Sequence, residues 1–389
     1  MSANPHDFYA PADWAKIYEE TKRHETPSLV VHLGIIERKY REFCKLFPYS
    51  KCHYAVKANP APEVVSLLRD LGSNFDVASV YELDLLLSLG VDPSRISFGN
   101  TIKKARDIQY AYEKGVRLFA TDSLPDVDNL AKYAPGSDIF IRLLAEGSDT
   151  ADWPLSRKFG CHPDMVVKEA ITARDKGLNP RGISFHVGSQ QHDIGTWSAS
   201  LVKVSYIFDA LLEHGIKFDL INMGGGLPAK YISKTNPIDV YAEEITKYLK
   251  ESFGDSHPDI IFEPGRSMVG DAGVLTTEVA LVSWKSDTEL DRWVYIDAGI
   301  FNGLIETVNE SIKYPIYCEG AGEDETKFTV AGPTCDSMDI MYEWYKVPLP
   351  ADLAAGDRMY WMTAGAYTAS YASVCFNGFP PIKTYFVKD

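Results

Sequence analysis

Short apolar runs alternate along this chain with longer segments whose apolar residues recur at helical spacing. LVVHLG, HYAVKA, FDVAS, ISFGN, RLFATD, IFIRLLA, GISFHVGS, DLINMGGG and IIFEPGR are runs of the first kind. PEVVSLLRDLG, SVYELDLLLSLG and SASLVKVSYIFDALLEHG are of the second, each closed by glycine. A strand covered on both faces reads as a continuous apolar stretch, and a glycine just past the last periodic residue is a helix stop. The repeating unit is therefore β then α. About eight such units between residues 28 and 265 predict an α/β fold, a closed parallel (β/α)8 barrel, with an open doubly wound sheet as the alternative.

After residue 266 the pattern changes. VLTTEVALVSWK, RWVYIDAGI, KYPIYC, KFTVAGPTCD, RMYWMTAGAY and KTYFVKD are alternating and aromatic-rich, and Gly, Pro and acidic turns break them. That predicts an antiparallel β domain. The expected organisation is a barrel over residues 28–265 and a β domain built from 266–389 together with 1–27. No low-complexity linker separates the two, and the length of 389 residues suits two domains.

Charge narrows the partners. Against 39 Lys and Arg stand 54 Asp and Glu, a formal charge of −15, which repels nucleic acid and anionic membranes and favours small cations. The six cysteines are scattered, with no Cys-x-x-Cys pair, so neither a metal site nor a disulfide framework is expected and a reducing compartment fits. The start MSANPHDFYAPADWAKIYEE lacks a basic stretch followed by an apolar core, and no apolar run is long enough to span a bilayer. These features predict a cytoplasmic protein with no nucleic-acid or membrane partner.

In a parallel barrel the site forms at the C-terminal ends of the strands. Lys57, Asp76, Arg142, His186, Ser189, Gly224 to Gly226, and Glu263 to Arg266 all fall there. Lys57 in YAVKANP poses a problem, because an ammonium that ends a sealed strand without a partner costs several kcal/mol. Each residue also has a plain structural reading. Lys57 can snorkel, His186 can be a satisfied core histidine, the glycine run can be a tight turn, and Glu263 can pair with Arg266. A glycine turn late in such a barrel is also where backbone N–H groups approach a phosphate.

Taken in order, YAVKANP, FDVAS, FHVGSQ, GGG, EPGR, GPTCDSMD, GAYT and FNGF closely resemble the pyridoxal-phosphate-dependent ornithine, arginine and diaminopimelate decarboxylases, over nearly the whole chain. The resemblance implies a barrel of alanine racemase type with a C-terminal β domain. It implies that Lys57 carries pyridoxal 5'-phosphate covalently, that Glu263 faces the pyridine nitrogen, and that His186 stacks on the ring. Ser189, Gly225, Gly226, Gly265, Arg266 and Tyr367 match positions that hold the phosphate, while Asp76, Glu82 and Arg142 match supporting positions around Lys57 and the ring. Cys335, which alone would read as a small core hydrophobe, matches the cysteine that returns a proton to the substrate carbon from across a dimer interface. A homodimer with shared sites follows from the resemblance.

The residue after that cysteine bears on substrate. Diaminopimelate decarboxylases carry Glu there. Asp336 is the form found in decarboxylases of ornithine and similar basic amino acids, and an aspartate suits a terminal ammonium. A second carboxylate is expected in FNGLIETVNESIKYPI, which aligns loosely with the family's short specificity helix. Glu310 is the best match, in place of the family's Asp, and Glu306 one turn earlier is its competitor. The resemblance implies decarboxylation of a basic L-amino acid, foremost ornithine to putrescine, with lysine to cadaverine also open. Arginine or diaminopimelate decarboxylation is the alternative. A non-catalytic regulatory homologue is a further one, against which stand the retained Lys57, Glu263, Arg266, Cys335 and Tyr367.

Overall fold

The computed structural model describes residues 3–145, 148–155, 157–288, 292–319, 324–373 and 381–389. The chain divides into two compact units, Tyr40–Pro228 with Asn236–Gly265, and Met1–Lys39 with Ala229–Thr235 and Arg266–Asp389.

The first strand, β1 (Ser28–His32), belongs to the second of these units. The first unit contains β2 (Ser50–Ala55), β3 (Asn74–Val77), β4 (Ile96–Phe98), β5 (Leu118–Thr121), β6 (Asp138–Arg142), β7 (Ala151–Trp153), β8 (Asn179–Ser184), β9 (Ser189–Gln191), β10 (Leu220–Asn222) and β11 (Asp259–Phe262). Eight of them close a parallel barrel in the order β10-β11-β2-β3-β4-β5-β6-β8, while β7 and β9 form a separate antiparallel ribbon. The continuous apolar runs are explained by this closure. Ile139, Phe140 and Ile141 of β6, for example, are all buried, and Ala120, Phe140, Leu220 and Ile261 from four strands pack together. The helices between strands start and stop as their sequences direct. Pro62–Asp70 and Pro163–Asp175 open on proline. Val80–Ser88 is capped by Ser79, whose hydroxyl accepts the Glu82 N–H, and Gly90 at φ +78 ends it in a conformation that favours glycine.

The second unit holds β12 (Gly273–Trp284), β13 (Arg292–Ile296), β14 (Ile316–Cys318), β15 (Glu325–Ala331), β16 (Ile340–Pro350), β17 (Arg358–Met362) and β18 (Lys383–Val387). They form a mostly antiparallel sheet in the order β14-β17-β12-β13-β15-β16, to which β1 adds by pairing with β12 and β18. This corrects the reading of LVVHLG. It is not a barrel strand, and residues 28–39 go with the sheet. All five residues of β1 are buried, and a strand buried on both faces does not record in its sequence which sheet buries it.

No helix among the described residues is long and apolar enough to cross a membrane. Cys44, Cys52, Cys161, Cys318 and Cys335 form no disulfide among the described residues. Cys375 and the FNGF motif lie outside the described residues.

Candidate active site

The strand ends of the barrel unit gather the charged residues. Lys57 sits in the short turn Val56–Ala58 directly after β2. Tyr54, Ala55 and Val56 before it are buried, but Lys57 itself is exposed, so the desolvation cost expected of a sealed ammonium does not arise. Asn59 explains why the strand stops at Asn-Pro. It is 5% exposed, its backbone carbonyl accepts the Tyr54 hydroxyl at 3.0 Å, and its side-chain oxygen accepts the Ala61 N–H at 3.2 Å, just ahead of the helix Pro62–Asp70.

Asp76, near the end of β3, is 5% exposed and accepts the Ser97 hydroxyl at 3.1 Å. Burial and the neighbouring Glu263 carboxylate push it well above the usual carboxylate range, while Lys57 and Ser97 oppose them. Only glycine fits at position 99, where a Cβ would come within 2.2 Å of the Asp76 carboxylate. Burial also raises Glu82, whose carboxylate accepts the Ala78 N–H at 2.6 Å. At the end of β6, burial pulls the Arg142 guanidinium down against the carboxylates of Glu263, Asp122 and Asp76. Its guanidinium carbon lies 4.9 Å from the Phe159 ring centre.

His186 follows β8. Burial and the cations of Arg142 and Lys57 push it well below its ordinary value, so its ring is neutral. Its Nδ1 accepts the Gly188 N–H at 3.0 Å, which leaves the ring proton on Nε2. Gly224 (φ +63) and Gly226 (φ +113) form the turn beside it. A Cβ on Gly225 would lie 3.0 Å from the Glu263 carbonyl and 3.1 Å from His186 Nε2, so the turn brings bare backbone to the imidazole. Ser189 opens β9 and is partly exposed. Asn222, the last residue of β10, ties these pieces together and was missed by sequence reasoning. Its Nδ2 donates to Glu263 Oε1 at 2.5 Å, and its Oδ1 accepts the Gly224 N–H at 2.9 Å. The signal was present, since Asn interrupts the apolar run DLINM.

The sheet unit carries the remaining predicted residues. Arg266 is 3% exposed and donates to both oxygens of Glu306, at 2.5 and 2.6 Å, and to the Tyr231 hydroxyl at 3.0 Å. Its guanidinium carbon lies 4.9 Å from the Tyr367 ring centre. Cys335 and Asp336 are exposed on the GPTCDSMD loop, where Asp336 Oδ1 accepts the Met338 N–H at 2.8 Å. Asp339, not singled out from sequence, organises that loop. It is 2% exposed and accepts the Ile300 N–H, the Thr334 N–H and the Thr334 hydroxyl at 2.8, 3.0 and 2.7 Å.

Glu310 is placed differently from expectation. Its oxygens accept the backbone N–H groups of Glu343, Trp344 and Tyr345 at 2.6 to 3.1 Å, so its carboxylate fixes the β16 backbone. The expected specificity helix is a short 3-10 stretch, Ile305–Glu310, broken at Val308 and Asn309. Glu306, the competitor, is committed to Arg266.

Residues 33–270 match the family model described as pyridoxal-dependent decarboxylase, pyridoxal binding domain. The chain is 35% identical over 370 residues to the lysine/ornithine decarboxylase of Selenomonas ruminantium, covering 95% of this chain and 91% of that protein. The lysine/ornithine decarboxylase from Vibrio vulnificus, in a crystal structure with cadaverine, superposes with a TM-score of 0.87 at 27% identity, covering 97% of this chain and 99% of that one. The arginine decarboxylase of Paramecium bursaria Chlorella virus bound to agmatine gives a TM-score of 0.86 at 27% identity, covering 95% and 100%.

Proposed function

Because the chain belongs to the pyridoxal-dependent decarboxylases, we propose that it removes the α-carboxylate of a basic L-amino acid, with ornithine preferred, releasing carbon dioxide and putrescine. The observation that carries this reading is the grouping of Lys57, Asp76, Arg142, His186 and Glu263 at the strand ends of one barrel, with electrostatic coupling linking Asp76 to Lys57 and Glu263 and linking His186 to Arg142 and Lys57.

The residues present fit pyridoxal phosphate. A turn whose glycines leave no room for side chains, a neutral imidazole beside it, a carboxylate held by Asn222 and an exposed amine on Lys57 are the donor set that such a group requires. When bound, the cofactor supplies an electron sink for the charge left as carbon dioxide departs. Lys57 would hold the cofactor through its amine. Glu263 would favour the protonated pyridine nitrogen, and the Asn222 amide holds the Glu263 carboxylate in position. Neutral His186 offers a flat apolar face. Ser189, Gly225, Gly226, Gly265, Arg266 and Tyr367 would hold the phosphate, and Asp76, Glu82 and Arg142 set the charge around Lys57.

Cys335 returns the proton to the substrate carbon, supplied by the second subunit of a homodimer, and Asp336 takes the distal ammonium. The neighbouring proteins complexed with cadaverine and agmatine support a cationic ligand. With Glu310 and Glu306 engaged elsewhere, Asp336 is the carboxylate we assign to this contact. The scattered cysteines, with no Cys-x-x-Cys pair, support a cytoplasmic setting.

Carbon dioxide release from ornithine, lysine, arginine and diaminopimelate, measured side by side, tests the reading. Ornithine should be turned over fastest and diaminopimelate least. Fastest release from diaminopimelate, or none from any, would overturn it.

A further inference from the structure

His53, Asp76 and Ser97 stand on the adjacent strands β2, β3 and β4, and Ser97 is the register partner of Asp76. They are 6%, 5% and 0% exposed. His53 Nδ1 lies 3.0 Å from the Ser97 hydroxyl oxygen, which lies 3.1 Å from Asp76 Oδ1 and 3.4 Å from the Phe75 carbonyl. We propose that Ser97 and His53 are positioning residues that hold the Asp76 carboxylate as counter-charge to the nitrogen on Lys57. This deepens the function proposed above and rests on its assignment of Lys57 as the point of cofactor attachment.

The direction of the relay follows from proton counting. A serine hydroxyl has one proton to give. With Asp76 ionised, giving that proton to His53 would turn the Ser97 lone pairs on the Asp76 oxygen, acceptor against acceptor. The arrangement that satisfies all three groups runs from His53 Nδ1–H to the Ser97 oxygen, and from the Ser97 O–H to Asp76, where a charged acceptor outcompetes the longer contact to Phe75. Burial, with a smaller push from Lys51, lowers His53 to about 3, so the ring stays neutral and the relay keeps one direction across the working range. Facing Asp76 are Glu263 and Glu82, which together with burial drive it towards its protonated form, and Lys57 and Ser97, which resist; the Arg142 guanidinium is also coupled to it. Ser97 is thus the neutral donor among the groups that preserve the anion. Neither Ser97 nor His53 is assigned a contact with substrate or cofactor, so their effect is exerted through Asp76.

The test is a pH titration of the visible absorbance of the protein loaded with pyridoxal phosphate. Loss of the Ser97 donor leaves Asp76 more readily protonated and the nitrogen on Lys57 with less counter-charge. Ser97→Ala should therefore lower the pH midpoint of the band by about one unit. Ser97→Thr, which keeps the hydroxyl, should restore it, and His53→Phe should lower it by less than Ser97→Ala. A merely structural role would shift the melting temperature and leave the midpoint where it was. If Ser97→Ala does not fold, Ser97→Cys, with its weaker donor, is expected to shift the midpoint in the same direction. A coloured wild type whose variants share its midpoint would overturn the relay alone, whereas a wild type that takes up no pyridoxal phosphate would overturn the functional reading itself.

Discussion

Glu306 grips Arg266 through both carboxylate oxygens, at 2.5 and 2.6 Å, with each side chain only 3% exposed. Two charges taken out of water stabilise little as a pair, but either one left alone is expensive. Glu306→Leu is expected to lower unfolding stability by about 3–5 kcal/mol, because it strands the guanidinium. Urea denaturation checks this, and the double variant Arg266→Met with Glu306→Leu should lose much less than the sum of the single losses.

Asp336 and Glu310 should behave in opposite ways. Asp336→Ala is expected to lower kcat/KM for ornithine by about 10- to 100-fold, since a charge-assisted contact to the distal ammonium is worth about 1.5–3 kcal/mol. Glu310 accepts backbone N–H groups at residues 343–345. Glu310→Ala should cost roughly 1–3 kcal/mol of stability, as expected where backbone donors lose a charged acceptor. Its ratio of ornithine to lysine turnover should stay that of the wild type. A changed ratio would return Glu310 to the substrate pocket.

His53 gives the fold an acid-side weakness. Burial holds it at about 3 in the folded protein, against about 6.5 in the unfolded chain. Between those values the unfolded chain binds a proton that the folded one refuses, so stability rises with pH across this window and is lost as pH falls below about 6.5. The loss from this group should approach about 1.4 kcal/mol per pH unit. Denaturation midpoints from pH 7 down to about 4.5 should show a flatter slope in His53→Gln than in the wild type.

The barrel was legible because most of its strands carry a short buried run, and helical segments with their own stops recur between them. The same property misplaced β1, since a strand buried on both faces looks alike in a barrel and in a sheet. The charged residues at strand ends stand out in sequence as motif members, and the structure brings Lys57, Asp76, Arg142, His186 and Glu263 within electrostatic reach of one another. What motifs could not convey was who holds whom. Glu306 and Arg266 are separated by 40 positions, Asn222 and Glu263 by 41, and no local periodicity links such pairs. Glu310 is expected as a substrate ligand from its loose alignment with the family's specificity helix. Only the fold shows the three backbone N–H groups that claim it. Gly99 and Asp339 were unremarkable in sequence because their roles depend on what approaches them: the Asp76 carboxylate for one, loop N–H groups for the other.

The central claim is that the amine of Lys57 holds pyridoxal phosphate at the mouth of this barrel. Borohydride reduction of the cofactor-loaded protein, followed by mass-spectrometric peptide mapping, tests it most directly. The account predicts a single phosphopyridoxyl group on the peptide containing Lys57, absent in Lys57→Ala, which should still fold because the change removes an exposed side chain. Label on a different lysine, or none on a protein that has taken up the cofactor, would contradict it.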